Sequence, residues 1–425
     1  MPYCTEVSRA KRWVIAAAQL LLAGSAAAQL DGSIVSLEHP AIDYRSEALS
    51  NSVAELQQRL EHGTELELDP RPGIGYMPAL LRELGVPVES QLLVYSKTSL
   101  QQRLITPERP RALYFNDVVV LGTVQAGVIE IAVQDAKQGA VFYTLETTDN
   151  EPRLQRQGTC LGCHYSLATL GVPGFFARSV PTAVDGRTLP WLGNATVSHA
   201  TPIAERWGGW YVTGDVGAND HLGNALLQND RLQELPPLER EVPADLRERF
   251  PSGYLTPYSD AVAHLVFDHQ LVMMNVLTRV GWEFRVALAE DRDLATLART
   301  IDDGIEYLLF AGEVRLEPVR GTSGFAEVFS KLGPHDDRGR SLRQLQLDGR
   351  LMRYPLSYLI YSGAFDGLPT EARDAMYRRL WDVLSSIVPS ARYSHLSAAD
   401  RAAIVDILIA TKPDLPAYFR PLPSG

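Results

Sequence analysis

The chain has 425 residues, a formal charge of −11 and 45% hydrophobic residues. So acidic a balance argues against a nucleic-acid partner and against adsorption to an anionic membrane. The apolar fraction is that of an ordinary globular protein, with material for two or three domain-sized cores or one core with large insertions.

Arg9, Lys11 and Arg12 precede an apolar run from Trp13 to Ala23, which ends in Ala26-Ala27-Ala28 before polar sequence begins at Gln29. This is the pattern of a secretory signal peptide, residues 1–28, cleaved after Ala28, and its core is too short for a permanent anchor. Loss of three cations and Glu6 with that leader would leave a charge near −13. No later stretch reaches spanning length, so the expectation is a periplasmic protein with no membrane span in the mature chain.

From Ser46 to Glu61 the residues Leu49, Val53, Leu56 and Leu60 recur at helical spacing. Pro70-Arg71-Pro72-Gly73 breaks that pattern, and Pro78 to Leu84 suits a short second helix. Residues 92–145 then change character. Leu92 to Tyr95, Ala112 to Phe115, Val118 to Leu121, Val128 to Val133 and Ala140 to Leu145 are short β-branched and aromatic runs separated by Pro, Gly, Asn and Asp. They predict an antiparallel sheet. Asn150-Glu151-Pro152-Arg153 reads as a loop.

Cys160-Leu161-Gly162-Cys163-His164 follows. Two thiols one helical turn apart can reach two vinyl groups on one porphyrin edge, and the adjacent imidazole can serve as proximal iron ligand, so the spacing points to covalent attachment of one haem c. Three other uses of a cysteine pair compete with that reading. A structural disulfide suits an oxidising compartment; a thioredoxin-like motif needs a strand before it and a βαβ rhythm around it; a zinc site needs further ligands, and the chain has only three cysteines, one of them Cys4 in the leader. His164 directly after Cys163 favours haem.

Gly171 to Asn219 is long, irregular and rich in Gly and Pro, a composition suited to wrapping a cofactor; Trp210 to Thr213 inside it reads as one more strand. Beyond Pro257 the pattern turns helical: Tyr258 to Arg279 with Thr256 as cap, Leu294 to Phe310, Pro369 to Val388, and a last helix opened by Ser397 and Asp400 and closed near Lys412-Pro413. The fold class is α+β, with a mainly helical C-terminal half, a haem-bearing irregular segment and an antiparallel β region before the motif. The divisions are residues 29–150 and 151–425, read as one continuous globular unit.

The second axial position decides what such an iron does. His269, on the apolar stripe of the Tyr258 to Arg279 helix, is the first candidate, with His199 second and Met273 third; His221 is a further possibility in a turn. Arg206, in the aromatic run Trp207-Gly208-Gly209-Trp210-Tyr211, and Arg178, after Phe175-Phe176, are candidate partners for propionate carboxylates. Asp268 reads as a helix-surface acid.

At Cys160 to His164 the chain resembles c-type cytochromes, a likeness confined to the attachment motif. It implies thioether bonds at Cys160 and Cys163 and iron ligation by His164. The sequence departs from the small cytochrome c module, because the first methionine after His164 is Met273 and a sheet precedes the motif. Two functions follow as expectations. One is a monohaem electron carrier serving a redox partner protein. The other is a haem-dependent oxidoreductase, peroxidase- or oxygenase-like, acting on a small-molecule substrate at an open or displaceable distal site.

Overall fold

A computed structural model describes residues 33–46, 48–148, 151–236, 242–386 and 390–422. The expected leader therefore lies outside the described residues.

Six strands form one antiparallel meander in chain order: β1 (Leu92–Val94), β2 (Arg111–Phe115), β3 (Val119–Thr123), β4 (Ile129–Asp135), β5 (Gly139–Thr148) and β6 (Glu151–Arg156). Register pairs Phe115 with Val120, Val120 with Ala132 and Ala132 with Phe142, which fixes one face of the sheet. Because side chains alternate across a strand, Tyr114, Leu121, Ile131 and Tyr143 occupy the other face. That second face packs on α1 (Ser52–Glu61) and α2 (Met77–Glu83) through Val53, Leu56, Met77 and Leu80. Helix α1 begins later than its apolar periodicity because Asn51 caps it, its side chain accepting from Ala54 N–H at 2.9 Å.

The predicted loop before the motif is a strand. β6 is polar and holds Pro152, as an edge strand can, so it carries no apolar run to announce it. Conversely, Trp210 to Thr213 does not form a strand. Gly209 and Trp207 take left-handed backbone (φ 85° and 67°) and turn the chain sharply. What remains lies beside β1, with Tyr95 N–H donating to Gly209 and Tyr211 N–H donating to Leu93, and covers that free edge.

The first face of the sheet meets the C-terminal half. After α3 (Leu161–His164) and the short pair β7 (Arg178–Ser179) and β8 (Ala195–Thr196), the chain enters α4 (Ala261–Ala289). Asp260, not Thr256, caps α4: its carboxylate accepts from the N–H groups of Val262 and Ala263 and also from those of Thr322 and Ser323. Gly321 passes so close that a Cβ there would sit 2.6 Å from that carboxylate. Around α4 pack α5 (Ala298–Leu308), α6 (Phe325–Lys331), α7 (Gly363–Asp366) and α8 (Thr370–Ser385), with α9 (Ala398–Thr411) against α8. Helix α9 has the expected cap, a reciprocal box between Ser397 and Asp400, and closes at Lys412. One apolar cluster runs from Leu92 and Leu113 through α4 to Phe419. The class is α+β. No helix among the described residues is long and apolar enough to cross a membrane.

Candidate cofactor site beside the cysteine pair

β6 delivers the chain straight into α3, where the N–H groups of Cys163 and His164 both donate to the Cys160 carbonyl. That single turn sets Cys160, Cys163 and His164 together on the wall of a cavity of about 420 Å³. The volume falls within the usual range for a small-molecule or cofactor site. The rest of the wall is mostly apolar: Val94, Leu113, Val120 and Phe142 from the sheet, Phe267 and Leu271 from α4, and Trp210 from the irregular segment.

His164 is held firmly. Its Nδ1–H donates to the Gly174 carbonyl at 2.9 Å, and the Gly174 N–H returns a bond to the His164 carbonyl. Such a bond fixes the tautomer and leaves Nε2 with its lone pair. Asn275 of α4 secures the same loop, with its amide accepting from Phe175 N–H at 2.7 Å and donating to the Phe175 carbonyl at 2.6 Å. A side chain at Gly174 would collide with Asn275, Cβ to Oδ1 being 2.3 Å, so only glycine lets the loop come this near. Phe142 and Phe176 flank the imidazole at 4.9 and 5.0 Å. Burial pushes the His164 pKa down, which keeps the ring neutral and able to ligate.

The thiols do not resemble a reactive redox pair. Cys160 and Cys163 form no disulfide, and burial pushes the Cys160 thiol up, whereas a nucleophilic thiol is pushed down. The alternative of a metal cluster finds no third ligand: no group of three His, Cys, Asp or Glu side chains converges among the described residues.

Polar groups gather on part of the cavity wall. Arg111 on β2 reaches over Gly122 on β3 to pair with Glu130 on β4 at 2.5 Å. A Cβ at Gly122 would lie 2.2 Å from that guanidinium, so the crossing depends on the glycine. Arg111 Nε is buried with no hydrogen-bond partner, a donor left for something in the cavity. Lys97 and Arg178 also line the space, and Arg178 Nε donates to Asn194 at 2.6 Å. An apolar slot with cationic groups along it suits a flat apolar ring system carrying carboxylates, as haem does. Of these cations sequence reasoning named only Arg178. Lys97 and Arg111 were missed because nothing in their local sequence marks them; the sheet register brings them in.

The remaining candidates lie elsewhere. His199 and His269 are buried and bonded to each other, Nδ1 to Nδ1 at 2.8 Å, in a stack with Phe310 and Tyr307, and His269 Nε2 meets Ser357 Oγ at 2.8 Å. Neither lines the cavity that holds Cys160, Cys163 and His164. The reason lies in α4. Of its 29 residues 24 are buried, so an apolar stripe does not reveal which neighbour it faces. Phe267 and Leu271 point at the cavity, whereas His269 points away from it. Met273 is buried in the core, also off the cavity lining. Arg206 does not reach the cavity: it forms a buried ion pair with Asp268 at 3.3 Å and donates to the Thr201 and His199 carbonyls. Asp268, expected on the surface, is thus inside, and it also accepts from the Trp207 indole at 3.1 Å. His221 is buried rather than a solvated turn residue.

The buried histidines set an acid limit. Burial lowers His199 and His264 to about 3, from an ordinary 6.5, so both stay neutral in the fold. The unfolded chain therefore binds more protons below pH 6.5, and stability is lost as pH falls from about 6.5 towards 3, by up to about 1.4 kcal/mol per pH unit per group. Thermal melts should show the midpoint dropping through this window. His264→Gln, which can keep the bond to the Tyr211 carbonyl, should flatten the profile; an unchanged slope would assign the acid loss to other groups.

Compared with models of protein families, with curated proteins and with solved structures, the chain matches none.

Proposed function

We propose that the protein is an exported monohaem c-type protein whose iron takes up small ligands, a haem-dependent oxidoreductase. The observation that carries this reading is the shared cavity of Cys160, Cys163 and His164, with His164 Nδ1 committed to Gly174 and Nε2 left free. Cys160 and Cys163 would carry the thioether bonds, His164 would bind the iron, and Arg178 with Lys97 or Arg111 would hold the propionates. When bound, haem supplies one-electron chemistry and a metal coordination position. The chain's own residues supply the rest: a mostly apolar wall, a fixed neutral imidazole and the Arg111–Glu130 pair as a polar pole inside that wall.

Ligand access is favoured over simple electron carriage by the lining itself. Among the described residues that line the cavity, His164 is the only histidine and there is no methionine, so neither usual sixth ligand of an electron carrier stands ready. The electron-carrier reading keeps one specific support. Cys163 is exposed, which would leave the thioether edge open to a redox partner protein.

The absorption spectrum of protein made in a host with haem-ligation machinery separates the two. Addition of carbon monoxide to the reduced protein is expected to shift the spectrum, and His269→Ala, at a residue outside the cavity lining, should not alter it. A low-spin spectrum indifferent to the gas would favour the carrier. A colourless protein would end both readings.

A further inference from the structure

A second cavity, about 560 Å³, lies between the 310–315 and 346–353 segments and the turn Ala391–Tyr393. In an acidic chain its lining is unusual: Arg315, Arg350, Arg353 and Arg392 with His395. Two of these arginines are already neutralised and held in place, Arg350 by Asp400 at 2.7 Å and Arg392 by Glu306. The other two are not. Arg315 and Arg353 have no carboxylate within ion-pair distance among the described residues; Arg353 rests over the Tyr354 ring and Arg315 beside Gly349.

Two acids share the lining. The Glu313 carboxyl accepts from Leu351 N–H at 2.8 Å, and burial raises it to about 7. Asp348 is the other acid of the lining. What distinguishes the lining is its two arginines, Arg315 and Arg353, that have no ion-pair partner among the described residues. A guanidinium binds planar oxyanions through two parallel N–H donors, which a lysine cannot do.

We infer that this cavity binds a small organic polyanion, a phosphate ester or polycarboxylate, between Arg315 and Arg353. Its volume of about 560 Å³ exceeds what a bare inorganic ion needs and leaves room for an organic body between the two guanidinium groups. The site is separate from the cysteine-lined cavity and does not depend on haem.

Calorimetric titration of the full-length protein, as purified, with pyrophosphate and with citrate in physiological salt tests it. One of the two is expected to bind with a dissociation constant below about 1 mM. The double variant Arg315→Gln/Arg353→Gln should weaken that binding about tenfold or more, as loss of charge-assisted bonds implies. Its thermal midpoint should stay nearly unchanged, since neither side chain holds an ion pair among the described residues and Arg353 makes only a surface ring contact with its neighbour Tyr354. Tighter pyrophosphate binding identifies a phosphate ester, and tighter citrate binding a polycarboxylate. Arg45→Gln, an exposed arginine near the N-terminal end of the described chain, should leave affinity as it was. No heat with either anion, equal affinity in the double variant, or an equal loss in Arg45→Gln would each overturn the site.

Discussion

Protein carrying Cys160→Ala and Cys163→Ala together is expected to lose all covalently held haem. In the wild type, made where haem-ligation machinery is present, the pigment should survive acidified-acetone extraction and migrate with the chain on a denaturing gel. The double variant should release it completely. The argument rests on α3, which gives both thiols to one cavity wall and leaves them unpaired with each other. His164 and the apolar wall persist in the variant, so loosely held pigment is compatible with the reading; pigment resistant to extraction is not. Cys163→Ala alone removes the exposed thiol and should leave one covalent bond at Cys160. If the wild type were instead to carry free thiols and no pigment, the cavity would have to serve another ligand.

The second large effect concerns stability. Asp268→Ala is expected to cost about 3–5 kcal/mol, the usual penalty for stranding one member of a buried ion pair. Arg206 is 2% exposed and cannot shed its proton, so it would be left as a buried cation with only carbonyl acceptors. The Trp207 indole N–H loses its acceptor in the same change. Burial pushes the Asp268 carboxyl up, while Arg206 and Trp207 pull it back, so the residue is costly to bury and costlier to remove. Asp268→Asn retains an acceptor and should fall between wild type and Ala. The check is a urea midpoint that drops with no change in slope; a loss under about 1 kcal/mol would show that the region relaxes around the cation. Because Trp210 lines the cavity a few residues on, the same variant should loosen the site, seen as easier pigment extraction.

The sheet and the helices were largely legible because their signals are local. Short β-branched and aromatic runs bounded by turn residues announced β1 to β5, and the capping box at Ser397 and Asp400 announced α9. What misled is equally physical. β6 is a polar edge strand that needs no apolar alternation, so its residues look like a loop. Trp210 to Thr213 has the composition of a strand, but its glycine turn breaks the pairing after isolated bridges. On α4, burial on nearly every side erased the distinction between the face that meets the cavity and the face that meets Ser357 and Phe310.

By itself the sequence determined the motif that proposes a cofactor, since two thiols and an imidazole at fixed spacing need only one helical turn to come together. It also determined the α+β class, because hydrophobic period is a property of neighbouring residues. Tertiary structure decided which distant side chains share a space. It set Arg111 and Glu130 over Gly122, turned His269 away from His164 and towards His199, and gathered four arginines from three segments around one cavity. Those outcomes depend on register, helix rotation and loop packing, which are set by contacts between residues far apart along the chain.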